Sequence, residues 1–376
     1  MAWFLLLGIK IGMTWKEFIA ALNKPIGAPK GAKGAKAPSV RASVLTDVVG
    51  IELGSGDARG CPAVRLTRRS GECVVRAVGF VSPPKGELPS SWKELERQTT
   101  WSVQGAFAAP NAAIAVNSPD QIVRQTTLEV LSSELGRKVE PRVPVSNRGL
   151  RFTVEPMGDA SFVLESGLPE FQVLWLSRLF PEGRRPTAAS VQTLPTAMLS
   201  SLFAQSAFVQ AGGSAAALFV TGSAVYFAGF RDGALVLFRE FQGMGGALKV
   251  REALKSGFGM AEQMVDEVLD DTLIDPAPIL TPVLGPILRQ MELSLDYLKN
   301  RLGVTVDQVF LMGLSSGAKH WGKMAESMLG VKLVAPDLFA GVEVLPHAES
   351  LSGSLKRSHV FMSAYGAARA AMEAAE

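Results

Sequence analysis

Apolar positions along the chain fall into two kinds of period. "DVVGIELG" (47–54), "AVRLTR" and "ECVVRAVGFV" are short apolar runs separated by glycine-containing turns, and they predict a three-strand meander. The pattern restarts at Ser214, where "SAAALFVTGSAVYFAGFRDGALVLFREF" predicts three more strands, with Asp232-Gly233 placed for a tight hairpin turn. The same order thus occurs near residue 48 and again near 215, which implies two similar halves.

Between the meanders, "SWKELERQTTWSV" has helical spacing and "AAIAVNS" reads as a buried strand. From Asp120 to Val163, the runs "IVRQTTLEV", "LRFTVEPM" and "SFVLES" alternate with polar turns and predict a small group of strands. "EFQVLWLSRLF" and "TAMLSSLFAQS" predict helices on either side of a strand in "TAASVQTLP". After the second meander come the helical stretches "GALKVREALKSGF" and "MAEQMVDEVLDD". A long helix through "PILRQMELSLDYLKNRL" follows, then a strand, "DQVFLMG", and a Gly/Ser loop leading to another helix. The terminal "HVFMSAYGAARAAMEA" is an Ala-rich helix whose small residues suit close packing.

The first residues differ. "MAWFLLLGIKIGM" is interrupted by Lys10 and shorter than the roughly 20 apolar residues a spanning helix needs. In "TWKEFIAAL", Trp15, Phe18, Ile19 and Leu22 recur at amphipathic spacing, and Thr14 with Glu17 forms a capping box. That helix either packs on its own domain or docks on a membrane surface or a partner. Residues 24–41, rich in Pro, Gly, Ala and Lys, are a basic linker.

Composition narrows the classes. The chain has 376 residues, 47% hydrophobic and 19% charged, which is globular and long enough for more than one core. Its 38 basic and 35 acidic side chains are interspersed, so nucleic acid is not indicated. Cys61 and Cys73 form no CxxC pair and predict reduced, structural thiols of a cytoplasmic protein, with a disulfide left geometrically open. His320, His347 and His359 make no HExxH pattern, and no Gly-x-Ser-x-Gly elbow occurs. The acids Asp266, Glu267, Asp270, Asp271 and Asp275 lack the DxDxDG pattern of a calcium loop and predict a solvated helical face.

The order of motifs resembles the actin-like ATPase superfamily, and within it the PilM-type proteins of type IV pilus assembly. "GIELG" (50–54) is similar to the strand that opens the family's first phosphate loop. "FRDGALVLFREFQGMGG" (230–246) is similar to the second phosphate hairpin and its sequel. "FLMGLSSGAKHWGKM" with "LGVKLVAPDLF" matches the adenosine loop and its sequel, and "GAARA" the closing helix. The resemblance spans about residues 46 to 376. It implies an α/β actin-like fold, two duplicated ribonuclease-H-like domains with a small α+β insertion in the first. The segments expected are 1–41 (amphipathic segment and linker), 42–112 (opening segment of the first domain) and 113–195 (insertion and returning segments). The second domain is expected at 196–345, and 346–376 as a C-terminal helix returning to the first domain.

The same resemblance implies ATP with Mg²⁺ as the cofactor, cradled by Glu52, Gly54, Ser55, Gly222, Ser223, Gly245, Gly246, Gly313 and Ser315. Phosphate hairpins need glycine or small residues where backbone N–H groups approach an anion. Several departures point to a degenerate site. Pro62 removes a donor, Arg59 or Arg65 stands in for the usual lysine, and Phe219 or Val220 takes the place of a metal-organising acid. Leu314 interrupts the glycine run, where it is expected to crowd a nucleoside, and His320 and Trp321 are bulky. Two functions are carried forward. One is a cytoplasmic scaffold at the inner-membrane face that binds the N-terminal cytosolic tail of a PilN-like protein, with Ile122, Val123, Leu128 and Val130 in the partner region or the core. The other is an active ATPase or sugar kinase of the same fold.

Overall fold

The computed structural model describes residues 45–54, 59–84, 88–96, 101–141, 143, 145–147, 149–158, 161–180, 186–205, 208, 214–261, 264–270, 274–314, 317–345 and 358–373. The expected amphipathic helix with Trp15, Phe18, Ile19 and Leu22, and the sites at Ser55 and Ser315, lie outside these residues.

The first meander forms β1 (Asp47–Leu53), β2 (Cys61–Arg69) and β3 (Glu72–Val81). β4 (Asn111–Val116) lies parallel to β1. Four strands follow: β5 (Ile122–Thr126), β6 (Val145–Asn147), β7 (Leu150–Met157) and β8 (Phe162–Pro169). β9 (Thr187–Thr193) returns to pair parallel with β4. The second meander is β10 (Ala215–Val220), β11 (Val225–Arg231) and β12 (Ala234–Glu240), continued by β13 (Gln308–Met312), β14 (Lys332–Val334) and β15 (Glu343–Val344). The helices are α1 (Leu128–Leu135), α2 (Glu170–Leu179), α3 (Leu194–Phe203) and α4 (Ala247–Phe258). After them come α5 (Val265–Asp270), α6 (Ala277–Leu302), α7 (Ala318–Leu329) and α8 (Met362–Glu373).

The two meanders sit in separate sheets with one plan. The first sheet runs β15-β3-β2-β1-β4-β9 and the second β12-β11-β10-β13-β14. In each, an antiparallel three-strand meander is extended by two parallel strands beside its first member. The faces match as well. Val48 on β1, and Ala215, Ala217 and Phe219 on β10, join one apolar cluster, whereas Val49, Ile51 and Leu53, and Ala216, Leu218 and Val220, pack on outer clusters. This is a duplicated ribonuclease-H-like architecture, the actin-like ATPase fold. α3 and α8 lie between the inner faces and share the central cluster with both sheets. The small residues of α8 permit this: a Cβ at Gly50 of β1 would fall 1.8 Å from Ala364 O, and one at Gly366 equally close to Ala197 O.

The insertion is a third sheet, β5-β8-β7-β6, with α1 on one face. Leu131, Val145, Phe152, Val154 and Val163 form its own small core, and Val123, Met157 and Leu164 turn the other way into the central cluster. Its β5 abuts the edge of the second half: the Phe238 N–H of β12 donates to Gln125 Oε1 at 2.8 Å, and Gln121 Nε2 donates to the Tyr226 hydroxyl at 3.4 Å.

Two expectations are corrected, and one open alternative, the disulfide, is closed. "IVRQTTLEV" is not one strand: Thr127 Oγ1 accepts the Val130 N–H as an N-cap, and Gly136 closes α1 in the left-handed region. Of the helix expected through "SWKELERQTTWSV", the described residues form a 3₁₀ segment, Trp92–Glu96, and Trp101, whose Nε1 donates to Ser82 O, lies outside any helix. The cysteines cannot pair. Cys61 faces Val81 and Cys73 faces Arg68 across the β2–β3 ladder, seven positions apart, or about 23 Å at the usual strand rise. Among the described residues no helix is long and apolar enough to cross a membrane.

Candidate functional site

β1 delivers Glu52 and Gly54 to its carboxyl end. Residues alternate across the strand, so Glu52 shares a face with Gly50 beneath α8, and its carboxylate accepts a hydrogen bond from the Ser363 hydroxyl. The acid expected to order water around a metal is therefore engaged by the closing helix. Its charge, together with burial as the larger cause, pushes the Cys61 thiol up to about 11, which keeps that thiol protonated and unreactive. Gly54 has φ +84°, and a Cβ there would meet Asn117 O at 2.4 Å, so this glycine serves the close approach of the β4 end. Arg65 does not reach this end of the strand. Its guanidinium forks onto the Asp47 carboxylate at 2.8 and 2.6 Å, and Arg59 lies 4.3 Å over the Phe80 ring.

The second hairpin is tied to itself and to a helix. Thr221 N–H donates to Ala224 O at 2.9 Å, and Thr221 Oγ1 accepts the Ala224 N–H at 3.0 Å. The first amides of α4, which at a phosphate site would point at the anion, donate inward instead: Ala247 N–H to Thr221 O at 2.8 Å and Leu248 N–H to Gly222 O at 2.9 Å. Gly246 makes that closure possible, since a Cβ would meet Thr221 O at 2.0 Å, and Gly245 has φ +68°. Ser223 is exposed at the tip. Gly313, with φ +88°, lies under the same hairpin, its Cβ position 2.4 Å from Val220 O. The structure thus gathers Gly222, Gly246 and Gly313 around one hairpin, while Glu52 is held by Ser363.

Phe219 and Val220 are both fully buried, Phe219 in the central cluster and Val220 in the second half's own core. Leu314 belongs to that second core together with Trp321, so its side chain packs within the half and is not presented to a nucleoside, contrary to the expected crowding. His320 is also structural: its Nε2 donates to Leu269 O at 3.1 Å, and burial holds the imidazole below its usual pKa. Asp266 pairs with Arg251 at 2.6 Å, so the acidic stretch is not wholly solvated.

Mg²⁺ with nucleotide phosphates requires convergent oxygen ligands and unspent backbone donors. Among the described residues no group of three or more His, Cys, Asp and Glu side chains converges. Glu52 is hydrogen-bonded to Ser363, its counterpart on β10 is Phe219, and the α4 amides are satisfied by the hairpin. These residues do not fit the metal-bound nucleotide that the motifs implied.

Of the four partner candidates, Val123 is a core residue, because its strand turns it into the central cluster. Leu128 packs against the small core of the insertion, Ile122 is half-buried, and Val130 stands 47% exposed on α1. Sequence reasoning missed Ser363, whose only signal was a hydroxyl in an Ala-rich run. It also missed a buried hydroxyl chain joining the insertion to the first half: Ser166 Oγ, Thr193 Oγ1 and Thr196 Oγ1, each 3.0 Å from the next. The Thr pair around Pro195 in "QTLPT" was the available sign of it.

No family model matches the sequence, and no curated protein matches it. Among solved structures, the PilM-PilN type IV pilus biogenesis complex superposes with a TM-score of 0.60 at 16% identity, covering 88% of this chain and 98% of that one. The chain is similar in fold to that complex. The ethanolamine utilization protein EutJ from Carboxydothermus hydrogenoformans gives a TM-score of 0.42 at 12% identity, covering 88% of this chain and 93% of that chain. A Bacteroides thetaiotaomicron protein with an actin-like ATPase fold gives 0.39 at 11%, covering 83% and 96%.

Proposed function

We propose that this chain is a non-hydrolysing scaffold of a type IV pilus or related secretion assembly, lying in the cytoplasm at the inner-membrane face. It holds the N-terminal cytosolic tail of a PilN-like membrane protein. One observation carries the reading: the groups that would serve Mg·ATP are spent within the fold, Glu52 on Ser363 and the α4 amides on the second hairpin. The likeness to the PilM-PilN complex over nearly its whole length supports the partner class.

The insertion is the proposed docking element. The β5 edge of its sheet is covered by β12, and β6 is the opposite edge, beside the face that carries α1. An extended peptide pairs with such an edge through its main chain and is selected by alternate side chains. Val130, exposed on α1, is the candidate contact that the fold leaves accessible; Ile122 is half-buried on β5, at the covered edge. Residues 14–22 add a contact to membrane or partner.

The test is calorimetric titration of the full chain with N-terminal cytosolic peptides of bitopic inner-membrane proteins, paired with thermal unfolding in Mg·ATP. The scaffold reading expects saturable peptide binding weakened by Val130→Asp, and no shift from nucleotide. A nucleotide at 100-fold its dissociation constant adds about 2.7 kcal/mol of stability. That gain, with phosphate release abolished by Glu52→Ala, would establish the ATPase alternative instead.

A further inference from the structure

α6 is the longest helix among the described residues, and it carries apolar side chains on two opposite faces. The inner face holds Leu284, Met291 and Leu298 in the core of the second half. The outer face presents Pro282, Pro286, Leu293 and Tyr297 together with Arg289 and Asp296, all six exposed. At 3.6 residues per turn these positions fall in one stripe about 100° wide and about 22 Å long. Leu293 is 43% exposed and Tyr297 39%, so the two largest apolar side chains of the stripe stand in water. Scattered exposed apolar residues are ordinary, whereas a continuous row of them marks a contact surface.

The charges on the stripe say what would cover it. Arg289, its side chain 65% exposed, donates through Nη1 to Glu292 one turn along and keeps further N–H groups. Asp296 lies two turns beyond Arg289 on the same flank of the stripe. In an isologous pair the same patch faces itself, and a two-fold axis crossing the stripe between Glu292 and Leu293 sets Arg289 of each copy against Asp296 of the other. The guanidinium fork can take that carboxylate while it keeps Glu292. On the other flank the same axis brings the two Leu293 side chains together and places Tyr297 of each copy between Pro286 and Gln290 of the other. Only antiparallel helices achieve this. Parallel helices in register would set Arg289 on Arg289 and Asp296 on Asp296, and like charges facing across an interface oppose association.

We propose that two copies of this chain associate through the outer faces of their α6 helices, antiparallel, with Leu293 beside the two-fold axis. α6 belongs to the second half and the proposed peptide edge to the insertion, so the pairing rests on neither the peptide nor the nucleotide reading. One helix pair is at the small end of specific interfaces, so the dissociation constant is on the order of 10–100 µM.

Sedimentation equilibrium of the full chain, from well below to well above that range, is the test. The mass should rise from that of one chain toward that of two. Leu293→Glu places two carboxylates beside the axis and should weaken association about tenfold or more. Arg289→Asp and Asp296→Arg should each weaken it about threefold or more, and the double variant should recover it, because the exchanged charges meet again. A chain that stays monomeric throughout overturns the proposal. So does association that Leu293→Glu leaves unchanged, or that the double charge variant fails to recover. Association lost in Trp15→Asp, Phe18→Asp and kept in Leu293→Glu would assign the contact to residues 14–22 and overturn it too.

Discussion

Glycine 366 lies in the interior of α8, where helix propensity alone favours alanine by about 1 kcal/mol. The packing says the opposite. A Cβ at this position would lie 1.8 Å from Ala197 O, 2.8 Å from Ser201 N and 2.9 Å from Ala197 C, all backbone atoms of α3. No side-chain rotation relieves such an overlap, so α8 or α3 must shift by more than an ångström within a cluster that both sheets also pack against. Overpacking of a filled core costs about 1–3 kcal/mol, and a forced backbone displacement belongs at the upper end. Set against the propensity gain, Gly366→Ala should destabilise the chain by about 2 kcal/mol. Gly322 in α7 is the matched control: it is also inside a helix, but nothing lies within 4 Å of its Cβ position. Gly322→Ala should therefore stabilise by about 0.5–1 kcal/mol. Urea denaturation of both variants, compared at equal slopes, reads the two signs directly. A Gly366→Ala protein as stable as wild type, or a shift in the same direction for both, would refute the claim that backbone contact holds α8 between the sheets.

Two further outcomes are expected. Thr127→Ala removes the N-cap of α1, costing about 1 kcal/mol, and should raise amide exchange across 128–135 ahead of the central sheets; unchanged exchange there would deny the cap its role. Burial holds the His320 imidazole below its usual pKa, so on acidification the unfolded chain takes up this proton before the folded one. The contribution is full above the unfolded value of about 6.5 and is lost as pH falls through and beneath it. Wild type should accordingly lose more stability than His320→Gln between about pH 7.5 and about pH 5.5. Parallel pH profiles would show the histidine to be unlinked to folding.

The meanders were legible because strand alternation and the Asp232-Gly233 turn are local signals, and their recurrence exposed the duplication before any contact was known. The elements that were misread are those where a cap or a tertiary contact overrides the pattern. "TTLEV" has strand-like β-branching, yet Thr127 and Gly136 bound a helix whose apolar side is needed to cover Phe152 and Val154. α6 begins nine residues before Pro286 and contains both Pro282 and Pro286. Pro278, Pro282 and Pro286 are all exposed, so the rings interrupt the hydrogen-bond ladder on the solvent side of the helix. Ser363 and the Ser166, Thr193, Thr196 chain were invisible for a different reason: nothing local distinguishes a serine or threonine that meets its partner only after distant segments are assembled.

The duplicated plan also sets the two candidate metal positions in register. Glu52 and Phe219 occupy matching inner-face positions at the carboxyl ends of β1 and β10, each next to the strand's last core residue, Leu53 and Val220. A metal-bound phosphate between the halves would need polar groups from both. On the β10 side the position is filled by a ring buried in the central cluster, a burial that contributes about 1.5–3 kcal/mol to stability. On the β1 side the carboxylate is retained, and a buried edge of α8 supplies the hydroxyl that satisfies it. Each half has thus resolved the same position by a different means, one by apolar packing and one by a hydrogen bond to the closing helix. Both solutions draw α8 and the sheets together. The proposed scaffold reading rests on these contacts, because they close the carboxyl ends of β1 and β10 against the helix that joins the two halves.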